Sequence, residues 1–344
     1  MQLWFEPFTV HKRFALRISR GSTQATTNLW VRLQQDGIEG WGEASPFSTG
    51  QQPQTTELLS EALTAIAPAL VNLDPWNQQQ FEDLTRSLPS AARAALDLAV
   101  WDWRGKAVGQ PLWKLWGLDR DRCPVTSVTI GISSPEAGQE RLAAWRELFE
   151  PALIKVKLGS PEGVEADRAL LNALKAVAPT TPFSVDANGG WDVATTRSLA
   201  DWLVESGVIY LEQPLAKGQE ADLLQLRDLP LPVFIDESVW TSQDVAALSD
   251  RVDGINLKLL KTGGLSEALR AIHTARAHAL QLMLGCYSDS SLLNGAAAQL
   301  GPLVDYLDLD SHLNLLDDPF RGATIEAGRL VPSDRPGLGV LRQE

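Results

Sequence analysis

Phe183-Ser184-Val185-Asp186-Ala187-Asn188 is a short apolar run that ends on a carboxylate and an amide. A strand buried on both faces reads this way, as an unbroken apolar run rather than an alternation. The figure recurs on either side. Upstream, Leu153–Val156 carries Lys155 and runs into Lys157. Downstream, Val208–Leu211 ends on Glu212-Gln213-Pro214, Val233–Ile235 on Asp236-Glu237-Ser238, and Gly254–Leu257 on Lys258. Farther out, Val125–Ile130, Leu282–Leu284 and Tyr306–Leu309 bring the runs to eight, with centres 22 to 30 residues apart. Amphipathic helices fit between most of them, at 136–149, 162–177, 194–206, 219–228, 242–250 and 265–279, with an Ala-rich segment at 291–301. Strands alternating with helices at this period predict an α/β fold with a parallel eight-stranded barrel. A doubly wound open sheet is the competing topology. It is weakened because no strand is followed by a G-x-G-x-x-G turn; Gly263-Gly264 is only a pair.

The first third is of another kind. Residues 28–34 alternate, Asp36-Gly37 makes a turn, and Gly40-Trp41-Gly42-Glu43 returns, which predicts a hairpin. Helices follow at 54–71, 76–86 and 89–108. The pattern changes near residue 122, and from 318 the chain is rich in Gly and Pro with weak strand character.

Composition limits what the fold can do. Thirty Lys+Arg against 43 Asp+Glu leave a net charge of −13, which disfavours nucleic-acid and anionic-membrane partners. Cys123 and Cys286 are too few for a disulfide framework or a four-thiolate zinc site, and as reduced thiols they suit the cytoplasm. No signal peptide and no 18-residue apolar span is read.

A barrel core rejects charge, and barrel enzymes keep their sites at the strand C-terminal ends. Asp186, Glu212 and Asp236 end three consecutive runs. Strands about 5 Å apart bring three such side chains to one point, where they repel unless a cation lies between them. All-oxygen ligation favours Mg²⁺ over zinc. The bland alternative is that each carboxylate caps a helix or pairs with a lysine. Lys155 and Lys157, two apart, face inward together, and Lys258 lies across the barrel. Repulsion and desolvation are expected to lower the lysine pKa values and give bases on two sides of one carbon. Simple charge balance is the alternative.

Taken with Trp41-Gly42-Glu43-Ala44 and Ile255-Asn256-Leu257-Lys258 followed by Lys261-x-Gly263-Gly264, these motifs resemble the enolase superfamily and its muconate-lactonizing subgroup over nearly the whole chain. The resemblance implies a modified TIM-type (β/α)7β barrel at 122–317, an α+β capping domain at 1–121, and a tail at 318–344 that packs back on the cap. It implies Asp186, Glu212 and Asp236 as ligands of one Mg²⁺, Lys157 and Lys258 as the acid/base pair, Lys155 as their assistant, and Asn188 and Glu237 as supports beside the ligands. The shared reaction is removal of the proton α to a carboxylate, giving an enediolate.

Asp308-x-Asp310 resembles the pair with which dipeptide epimerases hold a substrate's free ammonium, so a small dipeptide is the expected partner. The alternatives are o-succinylbenzoate synthesis or muconate cycloisomerization within the subgroup, a scaffold that has lost catalysis, and, for the two aspartates, a helix cap and a surface charge. The seventh strand departs from the subgroup's pattern as Gly285-Cys286-Tyr287-Ser288-Asp289. Asp289 is expected still to pair with a lysine near the dipeptide. Gly189 stands where Gln is usual. Arg20, with Arg17 as its rival, is read either as a partner for an acidic substrate side chain or as a surface residue. Trp191 is the expected pocket wall, while Trp101, Trp103, Trp113 and Trp116 are read as core. His11 and His312 show no partner in sequence. Barrels of this kind commonly assemble symmetrically, so a homo-oligomer is expected.

Overall fold

The computed structural model describes residues 1–50 and 53–343. It opens with an antiparallel sheet of β1 (Gln2–Ile18), β2 (Gly21–Gln35) and β3 (Ile38–Ala44). Asp36 and Gly37 turn the second hairpin with φ of 53° and 75°, the left-handed pair that a two-residue connection needs. Three helices follow, α1 (Thr56–Leu70), α2 (Gln78–Thr85) and α3 (Ser90–Ala107). α3 is buried on almost every side. Its alanines lie directly on β3, and a methyl group at Gly42 would overlap the Ala95 carbonyl oxygen. Small residues on both surfaces set that spacing. After a short α4 (Leu112–Leu115) the barrel begins.

The barrel strands are β4 (Val128–Ile130), β5 (Ile154–Lys157), β6 (Phe183–Asp186), β7 (Val208–Glu212), β8 (Val233–Ile235), β9 (Gly254–Leu257), β10 (Gln281–Gly285) and β11 (Tyr306–Asp308). They are parallel and lie in chain order. The Ser127 N–H donates to the Leu307 carbonyl (2.9 Å), joining the first strand to the last. The expected helices appear as α5 (Pro135–Arg146), α6 (Val164–Val177), α7 (Val193–Glu205), α8 (Ser242–Leu248), the short α9 (Leu259–Thr262), α10 (Leu265–Ala277) and α11 (Ser291–Ala298). Four of their starts are capped by side chains: Ser134 on Ala137, Asp192 on Thr195, a reciprocal Thr241–Asp244 box, and Ser290 on Leu292.

One helix is corrected. Residues 220–226 form a 3₁₀ helix, because Leu223 and Leu226, three apart, are the pair that buries. One strand went unread: β1 is 17 residues long, yet its exposure pattern alternates only in part.

The tail forms β12 (Phe320–Arg321) with β15 (Leu341–Arg342), and β13 (Thr324–Glu326) with β14 (Arg329–Val331). Phe320 meets Trp30 of β2 edge-on at 5.4 Å. Asp102 of α3 accepts from the N–H groups of Trp41 and Leu338, both at 2.8 Å.

Inside the barrel the side chains form layers. Tyr210, Phe234 and Met283 make a buried floor with Tyr306. Each lies two residues before Glu212, Asp236, Gly285 or Asp308, and so points the same way. The floor therefore sets the depth at which the charged layer stands. No helix among the described residues is long and apolar enough to cross a membrane.

Candidate active site

The three carboxylates reach one end of the barrel by register. Lys157 pairs with Asp186, and Asp186 with Glu212, at successive strand ends, while Asp236 follows β8 directly. All three are buried. Each has one oxygen held by a donor fixed in the fold. Asp186 Oδ1 accepts from the Asn188 N–H (2.8 Å), Glu212 Oε1 from Asn256 Nδ2 (2.7 Å), and Asp236 Oδ1 from Lys261 Nζ (2.5 Å). The other oxygen of each faces a lysine. Lys157 Nζ is 2.5 Å from Asp186 Oδ2, Lys155 Nζ 2.5 Å from Glu212 Oε2, and Lys258 Nζ 2.6 Å from Asp236 Oδ2. Further donors and acceptors surround the carboxylates. Gln213 Oε1 accepts from the N–H groups of Asp236 and Glu237, and Asn188 Nδ2 donates to Asp186 (3.1 Å) and to Glu237 (3.2 Å).

Among the described residues no three acidic, histidine or cysteine side chains already form a metal-ligand shell. One oxygen of each carboxylate faces an ammonium group. The donor set nevertheless fits a hard divalent cation. It is all oxygen, it is buried, and its charges work against one another. Burial first, then the neighbouring Asp186 and Asp236 charges, push the Glu212 carboxyl up to about 7 despite Lys155.

The lysine pKa values, expected to fall beside a bound metal ion, are set here by burial and the carboxylates. Burial alone would lower Lys155, but Asp308, Glu212 and Asp186 outweigh it and hold the ammonium well above its ordinary range. Lys258 is raised as well: burial opposes the charge, and Asp236 chiefly restores it. Lys261, whose burial outweighs its contact with Asp236, is the lowered one.

Lys157 and Lys258 come from β5 and β9, four strands apart in an eight-strand order. Both line one cavity of about 950 Å³. Its opposite wall is the cap, with Leu16, Ile18 and Phe47 among its residues. Phe47 stacks on Tyr287 at 4.6 Å, and Lys258 Nζ lies 4.4 Å from the Tyr287 ring centre.

Asp308 and Asp310 are both engaged within the fold. Asp308 accepts from Lys155 Nζ (2.6 Å) and Ser127 Oγ (2.7 Å), and burial is overcome mainly by Lys155, which brings its carboxyl down to about 2. Asp310 lies past the strand and accepts from the Thr129 N–H (2.6 Å). Neither lines the cavity; Cys286 does, with Sγ 3.1 Å from the Asp308 carbonyl oxygen. Asp289 takes the Tyr287 N–H (2.8 Å) instead of a lysine, with Lys12 and Lys258 acting on it only through space. Arg20 lies in the cavity wall, where Nη2 meets Glu237 Oε1 at 2.7 Å, and Arg17 pairs with Glu162. Trp191 is buried core, donating to Asp167. His11 meets Asp317, and His312 meets Asn294.

Lys261, Asn256 and Gln213 stood in the quoted motifs without a role; their burial beside carboxylates supplies one. Lys12, buried on β1 within electrostatic reach of Asp310 and Asp289, gave no signal because β1 itself went unread.

Two family models match. One described as "Enolase C-terminal domain-like" covers residues 130–343, and one described as "Mandelate racemase / muconate lactonizing enzyme, N-terminal domain" covers residues 5–117. A hydrophobic dipeptide epimerase of Flavobacteria bacterium (strain MS024-2A) is 42% identical over 100% of this chain and 99% of its own. The L-Ala-D/L-Glu epimerase of Bacteroides thetaiotaomicron is 34% identical over 99% of this chain and 88% of its own. The crystal structure of a dipeptide epimerase from Cytophaga hutchinsonii, complexed with Mg and D-Ala-L-Val, superposes with a TM-score of 0.93 at 25% identity, covering 100% of this chain and 96% of that one. The chain thus belongs to the mandelate racemase/muconate lactonizing enzyme family of the enolase superfamily.

Proposed function

We infer that the protein is a Mg²⁺-dependent dipeptide epimerase that inverts the α-carbon of the C-terminal residue. The observation that carries this reading is the pair Lys157 and Lys258, half a barrel apart and lining one cavity beside three buried carboxylates. Asp186, Glu212 and Asp236 would hold the ion. When bound, the ion supplies a fixed positive charge where the substrate carboxylate gathers electrons. One lysine, as the neutral amine, removes the α-proton and becomes the ammonium, leaving an enediolate, and the other, as the ammonium, delivers a proton to the opposite face and becomes the amine. Lys155 neutralises Asp308 and Glu212 and keeps both from repelling the substrate carboxylate. Asp310 and Asp289, with Asp308 shared with Lys155, lie buried behind the cavity wall and bias that side of the site toward the dipeptide's ammonium through space. In this reading residues 1–121 cap the barrel, 122–317 hold the chemistry, and 318–344 fasten the two together. The enzyme works in the cytoplasm as a homo-oligomer.

Incubating a dipeptide library with Mg²⁺ in heavy water tests the reaction. Deuterium should enter the C-terminal α-position as both epimers form. Lys157→Ala and Lys258→Ala should each abolish epimerization from either direction. A library in which nothing exchanges would sink the reading.

A further inference from the structure

Arg20 reaches from the turn between β1 and β2 to the barrel, and two of its N–H groups are already committed. Nη1 donates to the Asn188 carbonyl oxygen (2.8 Å) and Nη2 to Glu237 Oε1 (2.7 Å). Ser19, its neighbour, donates to the same Asn188 oxygen (3.1 Å). Glu237 is 3% exposed, whereas the Arg20 side chain keeps 30% of its surface, so the carboxylate half of the pair is the half removed from water. Arg20, Gly50, Asn188 and Glu237 line both the 950 Å³ cavity that holds Lys157 and Lys258 and a neighbouring pocket of about 470 Å³. The ion pair is thus a partition between the two spaces.

An acidic substrate side chain has two ways to use this guanidinium. It can displace Glu237, which strands a buried carboxylate, or it can bind beside Glu237 and accept like-charge repulsion. Each is electrostatically unfavourable. The other cavity cations, Lys157 and Lys258, face Asp186 and Asp236. The rest of the wall sets an apolar patch, Leu16, Ile18 and the stacked Phe47–Tyr287 pair, beside the hydroxyls of Thr23 and Thr27 and the carboxylate of Glu57.

We propose that Arg20 is a specificity residue that works as a neutralised wall: paired to Glu237, it closes the substrate cavity, turns away acidic side chains and leaves an apolar surface for the dipeptide's side chain. This rests on the dipeptide reading above and names its substrate class. Arg20 holds the wall in place, and Glu237 holds Arg20 back from acting as an anion receptor.

The test compares kcat/KM for L-Ala-L-Leu and L-Ala-L-Glu in the Mg²⁺-loaded wild type, Arg20→Met, Glu237→Gln and the double variant. The wild type should favour the leucine dipeptide by about tenfold or more, a modest share of the like-charge cost. Glu237→Gln frees the guanidinium and should raise the Glu/Leu ratio by about tenfold. Arg20→Met should not lower that ratio, and the double variant should lose the gain. Calorimetric affinities for the same two dipeptides read the same ratio where a variant has lost turnover. A wild type that prefers L-Ala-L-Glu, a selective loss of L-Ala-L-Glu in Arg20→Met, or a ratio unmoved by Glu237→Gln each overturns the inference alone. A wild type that turns over no dipeptide overturns the proposed function, and this inference with it.

Discussion

Glu43→Gln probes the joint between cap and barrel. Glu43 ends β3 with its side chain buried, and five donors converge on it. Oε1 accepts from Asn28 Nδ2 (2.6 Å), Ser45 Oγ (3.2 Å) and the Ser290 N–H (3.0 Å); Oε2 accepts from Ser290 Oγ (2.5 Å) and the Leu293 N–H (3.1 Å). Burial, with Asp289 adding to it, still pushes the carboxyl from 4.5 up to about 7. The folded protein therefore keeps this proton where the unfolded chain has released it. The resulting stability is full below about 4.5 and is lost as pH rises through about 7. Between pH 5 and pH 8 the loss from this group is about 2.5 kcal/mol. With an unfolding entropy of about 2 cal/mol/K per residue, that is about 3–4 °C in Tm for a chain of this length. The substituted amide does not titrate, and it can face Ser290 Oγ only by leaving the Leu293 N–H unpaired, at about 1–3 kcal/mol. Thermal unfolding at pH 5 and pH 8 should therefore show a wild-type advantage that shrinks by about 3–4 °C at the higher pH. A difference between wild type and variant that stays constant over this range would refute the reasoning.

Lys155→Met removes the ammonium that lies 2.5 Å from Glu212, 2.6 Å from Asp308 and 3.6 Å from Asp186. Leaving buried carboxylates uncompensated should cost about 3–5 kcal/mol of stability. Added Mg²⁺ should then raise Tm more in the variant than in the wild type; a loss under about 1 kcal/mol would show that the lysine is not the counter-charge. Gly189→Gln restores the residue more usual in the subgroup. Here φ is +73°, and a Cβ would lie 2.9 Å from Ala216 Cα, so the variant should lose about 1–3 kcal/mol in denaturant unfolding. An unchanged midpoint would mean that the loop accommodates a side chain.

Barrel strands were legible because both faces are buried, so β6 through β9 read as apolar runs, and each ends on or just before a polar residue that a core cannot hold. β1 was not legible. Pro7, Glu6, Lys12 and Arg13 interrupt its apolar residues, and its register with β2 shifts between His11 and Leu16, so neither composition nor period marks it. Lys12 shows the cost of missing it. Its burial arises where β1 bridges to Leu315, a contact between residues 303 positions apart that no local pattern contains. The site followed the same division. Which residues would meet could be read from strand order. Which lysine would face which carboxylate could not, because long side chains choose partners by reach and rotamer rather than by period.

That choice of partners explains how the fold holds so many acids at one end. A carboxylate that ends a parallel strand beside another carboxylate should be destabilising. Here Asn188, Asn256 and Lys261 each hold one oxygen in place, and Lys157, Lys155 and Lys258 each neutralise the other. The lysines that would serve the chemistry thus also carry the charge balance of the folded chain. Asp308 belongs to the same account: with Glu212 it makes Lys155 a shared cation, leaving Lys157 and Lys258 one carboxylate each. A divalent ion held by Asp186, Glu212 and Asp236 would add positive charge where Lys157, Lys155 and Lys258 now supply it, so the charge balance of these carboxylates and the chemistry of the lysines are linked.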